Sequence, residues 1–517
     1  MMSEQSTPPA DPERTATEPN VYDNSRPLDV HRWSEYPEVR SAVDAIYEEL
    51  IQLPEFSGRE KDNKRHLRVV LMDLLHCNDV DPVAFVGYSR NANKFSTEQR
   101  YNKLRIKYRA LIRVIDGLTN LGYVEGVKGF RDPRSGISRQ ARMRATSKLL
   151  DVLADKYHVI PTMISRAKDV ESIVMRDKDK NETSYKDTSR IAKMRAVVDR
   201  YNNCLDRTYA DIRLRGYEGR RALHIDLNRN KVRRIFNNNS WKQGGRFHGG
   251  WWQNIPRELR LRITMQDKPT VEVDYSAMHI VILFAMEGID YFDTNDGDPY
   301  LIDEFPNDAK HRALFKLVLL TCLNASSKTS AKQAIRHEMR ETPDDYPDSV
   351  DLDTAIKAFE VKHAPIAGHF YSGIGNKLQY YDSVVAEKVI EYFTEEGSVG
   401  IAPLVVHDSF IVRRGLEDEL RDVMEESLRH VLKNEIGGKA AAITPRLKTK
   451  TWEIHDIDSD QVEAMGLIEI LKNYDESDLH DKDQIDRRKR WNETKRYPPV
   501  VFEPIEERQE GSDMDRS

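Results

Sequence analysis

The hydrophobic pattern of the first sixty residues predicts a disordered start followed by one helix. Residues 1–30 have no apolar period and are rich in Pro, Thr, Glu and Asp, a composition typical of disorder. Val43, Ile46 and Leu50 follow the helical spacing i, i+3, i+7 within the segment 35–60. We therefore interpret residues 1–60 as a disordered N-terminus that ends in a candidate helix.

Residues 61–165 are expected to form a winged-helix-like nucleic-acid-binding module. "HLRVVLMDLLHC" has helical apolar spacing, and Ser96 with Gln99 has the spacing of a capping box before a second helix that stops at Gly122. "YVEGVKGF" and "ISRQARMRAT" alternate around a Pro/Gly turn and predict a hairpin, which would be the wing. The basic residues of the expected recognition helix are Arg100, Lys103, Arg105, Lys107, Arg109 and Arg113. The alternative is an ordinary amphipathic helix with a charged, solvated side.

Charge is distributed unevenly along the chain, although the net charge is only −6. Residues 166–240 are expected to be a charged linker and then a basic, thumb-like region, since 190–262 contains 18 Lys/Arg and 6 Asp/Glu. Aromatic residues among these cations favour a surface for a phosphate backbone over a merely solvated face. Residues 453–517 carry 19 Asp/Glu and 10 Lys/Arg, and this acidic C-terminal tail is a candidate contact for replication proteins.

Composition argues against several other classes of protein. The three cysteines, Cys77, Cys204 and Cys322, are far apart and lack metal-ligand spacing, so neither a disulfide framework nor a zinc site is indicated. The N-terminus is polar and no run of about 18 apolar residues occurs, so we expect no membrane partner. With 517 residues the chain can form two to four domains. We expect a cytoplasmic, nucleoid-associated protein.

Two aspartates stand where apolar segments end or turn. "TVEVDYSAMHIVILFA" predicts a strand that ends near Asp274 and a buried helix after it. "APLVVHDSFIVRRG" has His407 and Asp408 within an apolar run, where an unpaired carboxylate would be costly. A β-hairpin with these two residues at its tip, facing a cleft, avoids that cost. Taken alone, each motif is also compatible with an Asp N-cap or an ordinary turn.

The order of the motifs resembles that of bacterial DNA polymerase I and its superfamily, which includes the phage-type single-subunit RNA polymerases. The resemblance covers roughly residues 240–415 and rests on "GR", "QNIP", "VEVDYS", "HRALFKLVLLTCLNAS" and "VHDSF". Asp274 matches the metal-binding aspartate of motif A, and Asp408 matches that of motif C. Arg312 and Lys316 keep the four-residue spacing of motif B.

The resemblance implies an α+β right-hand polymerase fold of palm, fingers and thumb, with palm and fingers within residues 241–452. It implies two Mg²⁺ ions held by Asp274 and Asp408, which would stabilise the attacking and leaving oxygens. Arg312 and Lys316, which share a helix face, would lie along the triphosphate of the incoming nucleotide. The residues expected near the primer–template are Arg246, Gln253, Asn254, Gln379 and His407.

Departures from the family pattern leave sugar selection open. Ser409 follows the motif C aspartate, as in single-subunit RNA polymerases, where DNA polymerase I relatives usually have Glu. His279 stands in place of the Glu that usually bars the ribose 2′-hydroxyl, and Asn324 in place of the motif B Tyr. Both are therefore candidate nucleotide-binding residues. The motifs are also closely spaced, and no acidic exonuclease motif is visible upstream, so we expect a compact enzyme without proofreading.

We therefore predict a template-directed nucleotidyltransferase, with a DNA polymerase favoured over an RNA polymerase or primase. Its partners would be a DNA primer–template or duplex and nucleoside triphosphates. The alternative from another class is a DNA-binding replication or transcription factor with an inactive polymerase fold. Retention of both aspartates and of the Arg312–Lys316 pair argues against this alternative. A small polymerase with its own DNA-binding module suggests a phage, a plasmid or another mobile element.

Overall fold

Helices and strands are mixed along the chain. The computed structural model describes residues 24–95, 98–131, 138–167, 170–214, 225–294, 297–395, 397–398, 400–437, 443, 445–451 and 482–496. The described strands are β1 (Ser25–Pro27), β2 (Arg32–Trp33), β3 (Phe85–Tyr88), β4 (Val124–Val127), β5 (Phe130–Arg131), β6 (Ser138–Arg139), β7 (Ala141–Ala145), β8 (Ser165–Arg166), β9 (Ile173–Met175), β10 (Ala210–Ile212), β11 (Arg233–Phe236), β12 (Gly244–His248), β13 (Ile263–Met265), β14 (Lys268–Tyr275), β15 (Leu404–Val406), β16 (Ser409–Arg413) and β17 (Leu447–Thr451). The described helices are α1 (Pro37–Leu50), α2 (Glu60–Val80), α3 (Tyr108–Asn120), α4 (Ser147–Asp151), α5 (Ser189–Arg207), α6 (Arg257–Arg260), α7 (Met278–Met286), α8 (Tyr291–Thr294), α9 (Ala309–Asn324), α10 (Lys328–Glu341), α11 (Leu352–Lys362), α12 (Gly375–Thr394), α13 (Glu417–Val431) and α14 (Lys482–Arg496).

The chain divides into two units, which we describe separately. The first comprises residues 1–170, 214–226 and 485–517, and the second comprises 171–213 and 227–484. Most of the expected acidic tail lies outside the described residues, apart from α14. None of the helices in the described ranges is long and apolar enough to cross a membrane.

The first unit combines a four-stranded sheet with helices α1, α2 and α3. The strand order is β1-β3-β7-β4, in which β1 and β3 are parallel and the other pairs are antiparallel. Val43, Ile46 and Leu50 are buried in its core, which confirms the helix predicted before residue 60. The predicted hairpin is also present, with Val124 opposite Ala145. Binding of nucleic acid by this unit stays a prediction.

The expected recognition helix begins later than predicted, at Tyr108. Asn102 closes a local turn: its side-chain amide donates to the Ile106 carbonyl at 2.8 Å, and its side-chain oxygen accepts from the Ile106 amide at 2.7 Å. Arg105 within that turn has a left-handed φ of 50°. Asn side chains that bond nearby backbone groups compete with helix formation, which explains the delay. Ser96, the predicted cap, lies outside the described residues.

The basic side chains of this region consequently do not share one helix face. Arg109 and Arg113 lie on α3, whereas the other four precede it, at Arg100, Lys103, Arg105 and Lys107. Lys107 forms an ion pair with Asp62 at 3.2 Å, and Arg113 donates to Asn63 at 3.1 Å. At least two of the six predicted DNA-binding residues therefore also have contacts within the unit.

The second unit contains an antiparallel sheet around the long strand β14. The strand order is β10-β13-β14-β16-β15, and β17 also pairs with β14. Val271, Val273, Phe410 and Ile411 are buried in it. The buried helix α7 follows β14, as predicted. The predicted β-hairpin is formed by β15 and β16, with residues 407 and 408 between them.

A second, three-stranded sheet corrects the linker prediction for the segment after residue 166. β9 pairs in parallel with β11, which pairs antiparallel with β12. Ile173, Val174 and Met175 of β9 are buried, so this short apolar group is folded despite the charged residues around it. The basic region that follows contains α5, whose first turn is capped by the hydroxyl of Thr188. The segment expected to be a linker is therefore folded at β9 and is not simply a linker.

Two further helices carry predicted site residues. α9 begins after Asp308, whose carboxylate accepts from the His311 amide, and it includes the predicted motif B segment. α12 packs against β12, α5 and α13. Gly375 at its start leaves room for Asn324 at the end of α9, because a Cβ at this position would clash with the Asn324 side-chain oxygen.

Candidate active site

Asp274 and Asp408, far apart in sequence, lie side by side in the second unit. Asp274 is opposite Ser409 in the antiparallel pair of β14 and β16, and the backbone amide of Tyr275 lies 3.5 Å from the carbonyl oxygen of Asp408. Both aspartates are partly exposed. The short two-residue turn between β15 and β16 requires a left-handed φ of 60° at His407, which sets Asp408 at the tip of the hairpin.

The two carboxylates interact electrostatically. Burial and then the negative charge of Asp408 raise the pKa of Asp274, whereas the nearby ammonium group of Lys450 acts in the opposite direction. Like charges in a partly buried site favour protonation of one carboxyl unless a cation compensates them. The pair is therefore a place where a cation would be stabilising.

The available oxygen atoms fit magnesium. Within the described part of the chain, no side chain forms a hydrogen bond or salt bridge with the Asp408 carboxylate, and that of Asp274 is bonded by Lys450 alone, at 3.1 Å. No group of three or more His, Cys, Asp or Glu that could hold a metal ion occurs among the described residues. Mg²⁺ is commonly bound by one or two carboxylates plus water and substrate phosphates, so two aspartates with unused oxygens suit it.

A largely buried ion pair lies within electrostatic range of Asp408. The Arg246 Nε atom on β12 lies 3.0 Å from both carboxylate oxygens of Asp382 on α12. Burial opposes the charge of Arg246, but the charge of Asp382 and, to a smaller extent, that of Asp408 raise the pKa of its guanidinium. Arg246 is therefore within electrostatic range of the candidate metal-binding residues.

His279 joins this ion pair. Its Nε2 atom lies 3.1 Å from the Asp382 carboxylate and 3.4 Å from an Arg246 terminal nitrogen. Burial opposes ionisation of Asp382, but the hydrogen bond from His279 and the charge of Arg246 lower its pKa. Sequence reasoning did not select Asp382, because "YYDS" in α12 matches no motif used.

Two imidazoles face each other beside Asp408. The rings of His248 and His407 have centroids 5.5 Å apart in an edge-to-face arrangement. Burial is the main cause that lowers the pKa of each to about 4; after burial the largest contribution comes from the neighbouring His407 for His248 and from the charge of Arg246 for His407. Both side chains are therefore neutral at pH 7. His248, which sequence reasoning missed, directly follows the "GRF" segment.

The motif B candidates lie on α9, as predicted. The Arg312 Nε atom donates to Asp298 at 2.7 Å, and its guanidinium lies 5.2 Å from the Tyr300 ring centre. Lys316 is exposed, and no hydrogen bond or ion pair links it to another described residue. Lys316 could thus receive an anionic ligand without giving up a contact.

Tyr300 connects this helix to the aspartates electrostatically. It is largely buried, and burial followed by the charge of Asp408 raises its pKa. The charges of Arg312 and Asp274 also affect it, so Tyr300 lies within range of both. No motif in the sequence had indicated this residue.

The other predicted primer–template residues are used mainly within the fold. The Gln253 amide donates to the carbonyls of Phe247 and Val405 at 3.0 and 2.9 Å, and its oxygen accepts from the Gly249 amide. Gln253 therefore connects the "QNIP" segment to the β15–β16 hairpin by a hydrogen bond. Asn254 donates to the Gly250 carbonyl at 3.4 Å.

The remaining two candidates lie near the α9–α12 junction. The Asn324 side chain donates to the Leu320 carbonyl at 2.7 Å at the end of its own helix. Gln379 lies in the second turn of α12 and is partly exposed. The structure does not connect either residue to the aspartates by a direct contact.

Comparison with known proteins identifies no family for this chain. No protein-family model matches it, and no curated protein matches it. One solved structure similar to it is the POL domain of Pol1 from M. smegmatis in complex with DNA primer-template and dNTP, with 13% identity over 78% of this chain and 71% of that chain. The TM-score is 0.25, which does not establish a shared fold.

Proposed function

We propose that this protein is a template-directed nucleotidyltransferase of the right-hand type, with a DNA polymerase favoured over an RNA polymerase or primase. The observation that supports this most is the meeting of Asp274 on β14 with Asp408 in the turn before β16, with carboxylate oxygens that other described side chains leave largely unused. In this proposal the β14 sheet is the palm and helices α9–α11 are the fingers.

Asp274 and Asp408 would hold two Mg²⁺ ions. These ions would supply Lewis-acid stabilisation of the attacking 3′-oxygen and of the leaving pyrophosphate. The backbone around the two aspartates would fix the position of the ions. Asp274 lies on a strand that is paired on both sides, with β16 and β17, and Asp408 lies in a two-residue hairpin turn. This rigidity matters because positioning and electrostatics account for most of the catalysis of phosphoryl transfer.

Lys316 and Arg312 would bind the triphosphate. Lys316 is exposed and can meet a phosphate directly, whereas Arg312 would share its guanidinium between the phosphate and Asp298. Asp298 fixes the orientation of Arg312, since its other carboxylate oxygen accepts from the Tyr300 amide at 2.9 Å. A guanidinium held in this way loses less conformational entropy when a substrate binds.

Neutral His407 and His248 would lie near the primer terminus, where they can donate or accept a hydrogen bond without adding charge to the site. The Gln253 amide and the Trp252 indole both donate to the Val405 carbonyl, at 2.9 and 3.0 Å. These bonds would hold the strand that leads to His407 and Asp408 in place. Gln253 would then act as a positioning residue, although the sequence suggested contact with the primer–template.

Use of ribonucleotides is the second candidate function, and the environment of His279 favours it. The His279 ring is held by Asp382 and Arg246, so it presents an imidazole where a relative of DNA polymerase I would present a carboxylate. An imidazole nitrogen can hydrogen-bond a hydroxyl and need not exclude it.

Primer extension with dNTPs and NTPs offered separately tests the proposal. We expect Mg²⁺-dependent extension of a primed DNA template by the wild-type protein and none by Asp274→Asn or Asp408→Asn, with DNA binding nearly unchanged in both variants. Wild-type protein that binds DNA but extends no primer with any nucleotide would favour the DNA-binding factor instead. Variants as active as the wild type would also contradict the assignment.

A further inference from the structure

Strand β17 brings a lysine to the candidate metal site. β17 runs antiparallel to β14, with Lys450 opposite Glu272 and Lys448 opposite Asp274. Alternate residues of a strand share a face, so Glu272 and Asp274 point to the same side of the sheet. The Lys450 ammonium lies 3.1 Å from an Asp274 carboxylate oxygen and 3.7 Å from one of Glu272.

Glu272 provides Lys450 with a second counterion. Its side chain is only 3% exposed, and its other ion-pair contact in the described residues is with Arg260, at a longer 4.0 Å. A buried carboxylate needs a nearby positive charge. Lys450 can therefore move away from Asp274 and remain paired with Glu272.

We propose that Lys450 acts as the resident cation of the site, occupying one oxygen of Asp274 and competing with the divalent ion for it. This inference rests on the proposed function, in which Asp274 is a metal-binding residue. When a metal ion takes Asp274, the Lys450 ammonium shifts its pairing to Glu272.

The electrostatics of the site give the reason for such an arrangement. Asp274 and Asp408 repel each other when no cation is present, and the ammonium offsets part of this repulsion. The same ammonium repels an incoming divalent ion, since both are positive and both use Asp274. Metal binding should therefore be weak until a nucleotide supplies phosphate ligands and negative charge. Lys450 would thus couple metal occupancy to nucleotide binding.

Direct metal titration tests this proposal without relying on catalysis. Mn²⁺ binding to the full chain, without nucleotide, is measured by the loss of the free-ion electron paramagnetic resonance signal. We expect Lys450→Met to bind Mn²⁺ about ten-fold more tightly than the wild type, because a charge within hydrogen-bond distance of a ligand is removed. The matched control is Lys268→Met, at the exposed beginning of β14, which changes the net charge equally and should leave the affinity unchanged.

A second variant should move the affinity in the opposite direction. Glu272→Gln removes the alternative partner of Lys450, so the Lys450 ammonium should pair more strongly with Asp274. Mn²⁺ binding should then weaken several-fold. Melting temperature provides an independent readout: Mg²⁺ should stabilise Lys450→Met more than it stabilises the wild type. Lys450→Gln replaces Lys450→Met if the latter does not fold.

The outcomes separate this inference from the proposed function. Equal Mn²⁺ affinity of Lys450→Met, Lys268→Met and the wild type overturns the inference, even if the wild type extends primers. Tighter binding by Lys450→Met in a protein that extends no primer supports the resident-cation role and contradicts the polymerase. Absence of Mn²⁺ binding in every variant, Lys450→Met included, overturns the inference, whereas the proposed function is decided by primer extension.

Discussion

Asp382 on α12 and Arg246 on β12 form a buried ion pair in which the Arg246 Nε atom lies 3.0 Å from both carboxylate oxygens. The Asp382 side chain is fully buried, and its second partner is His279. Three segments that are distant in sequence thus meet at one carboxylate. Removal of that carboxylate would leave the partly buried guanidinium of Arg246 without this counterion.

Asp382→Ala should therefore destabilise the second unit by about 3–5 kcal/mol, the usual cost of removing one partner of a buried ion pair. Chemical denaturation of the full chain, followed by tryptophan fluorescence, measures this loss. The double variant Asp382→Leu with Arg246→Met should recover much of the stability, because a buried pair can be replaced by apolar side chains. A single variant as stable as the wild type would mean that the ion pair contributes little.

Lys316→Ala should raise KM for the nucleotide and lower kcat, because a cation on the triphosphate acts in both the ground state and the transition state. The expected loss in kcat/KM is about 10- to 100-fold, since a hydrogen bond to a charged group contributes about 1.5–3 kcal/mol. Lys310→Ala on the same helix is the matched control and should not change either constant. Unchanged kinetics in Lys316→Ala would show that the motif B alignment is wrong.

The sequence predicted the central elements of the site, because their signals are local. The strand before Asp274, the helix after it and the hairpin around Asp408 each have a distinct apolar pattern, and the structure contains all three. The predicted start of α3 was too early, because the hydrogen bonds between Asn102 and Ile106 form a turn where the apolar pattern predicted a helix.

Other parts of the site could not be predicted from local patterns. Asp382 reaches Arg246 and His279, and Lys450 reaches Asp274, only through tertiary packing, from α12 and from β17. Lys450 stands between two threonines, where a charged residue is ordinary, and Asp382 stands in an amphipathic helical pattern that matches no motif. Three buried residues, Ile173 to Met175, were likewise too few to stand out from the charged segment around them.

Replacement of Arg105 and Arg109 by Glu should weaken binding of duplex DNA by the first unit. Both side chains are exposed, although only Arg109 lies on α3. Each lost phosphate contact should reduce the slope of log affinity against log salt by about 0.9. Fluorescence anisotropy over a salt series measures the slope. Arg40→Glu with Lys156→Glu, two exposed residues of the same unit, is the charge-matched control, and equal slopes for both double variants would argue against a DNA surface at α3.

His363 should make the stability of the second unit depend on pH. Burial is the main cause that lowers its pKa to about 4, and its ring contacts the Pro299 carbonyl and Phe359. A histidine whose pKa is lower in the folded state than in the unfolded state stabilises the folded state. This stabilisation is complete at pH values above the pKa of the unfolded state, about 6.5. This contribution, about 3 kcal/mol, is lost as the pH falls from about 6.5 to 4, because the unfolded chain binds the proton more readily. Urea denaturation at several pH values should show a smaller pH dependence for His363→Phe than for the wild type.

We expect His279 to control the choice between deoxyribose and ribose. In relatives of DNA polymerase I, a Glu and a Tyr together close the space of the 2′-hydroxyl, and under the proposed function His279 and Asn324 would stand at the matching positions. An imidazole can hydrogen-bond a hydroxyl, so we expect weak discrimination between dNTPs and NTPs.

His279→Glu should shift the enzyme toward dNTPs, but the new carboxylate would meet Asp382, now 3.1 Å from the imidazole. The double variant His279→Glu with Asp382→Asn removes this repulsion, and Arg246 can then pair with the new Glu carboxylate. The double variant should therefore show the shift toward dNTPs more clearly than His279→Glu alone. Asp382→Asn by itself is the control. The measurement is the ratio of kcat/KM for dATP and ATP opposite template T. A wild-type preference for dATP above about 1,000-fold, equivalent to about 4 kcal/mol, would show that another residue excludes the 2′-hydroxyl.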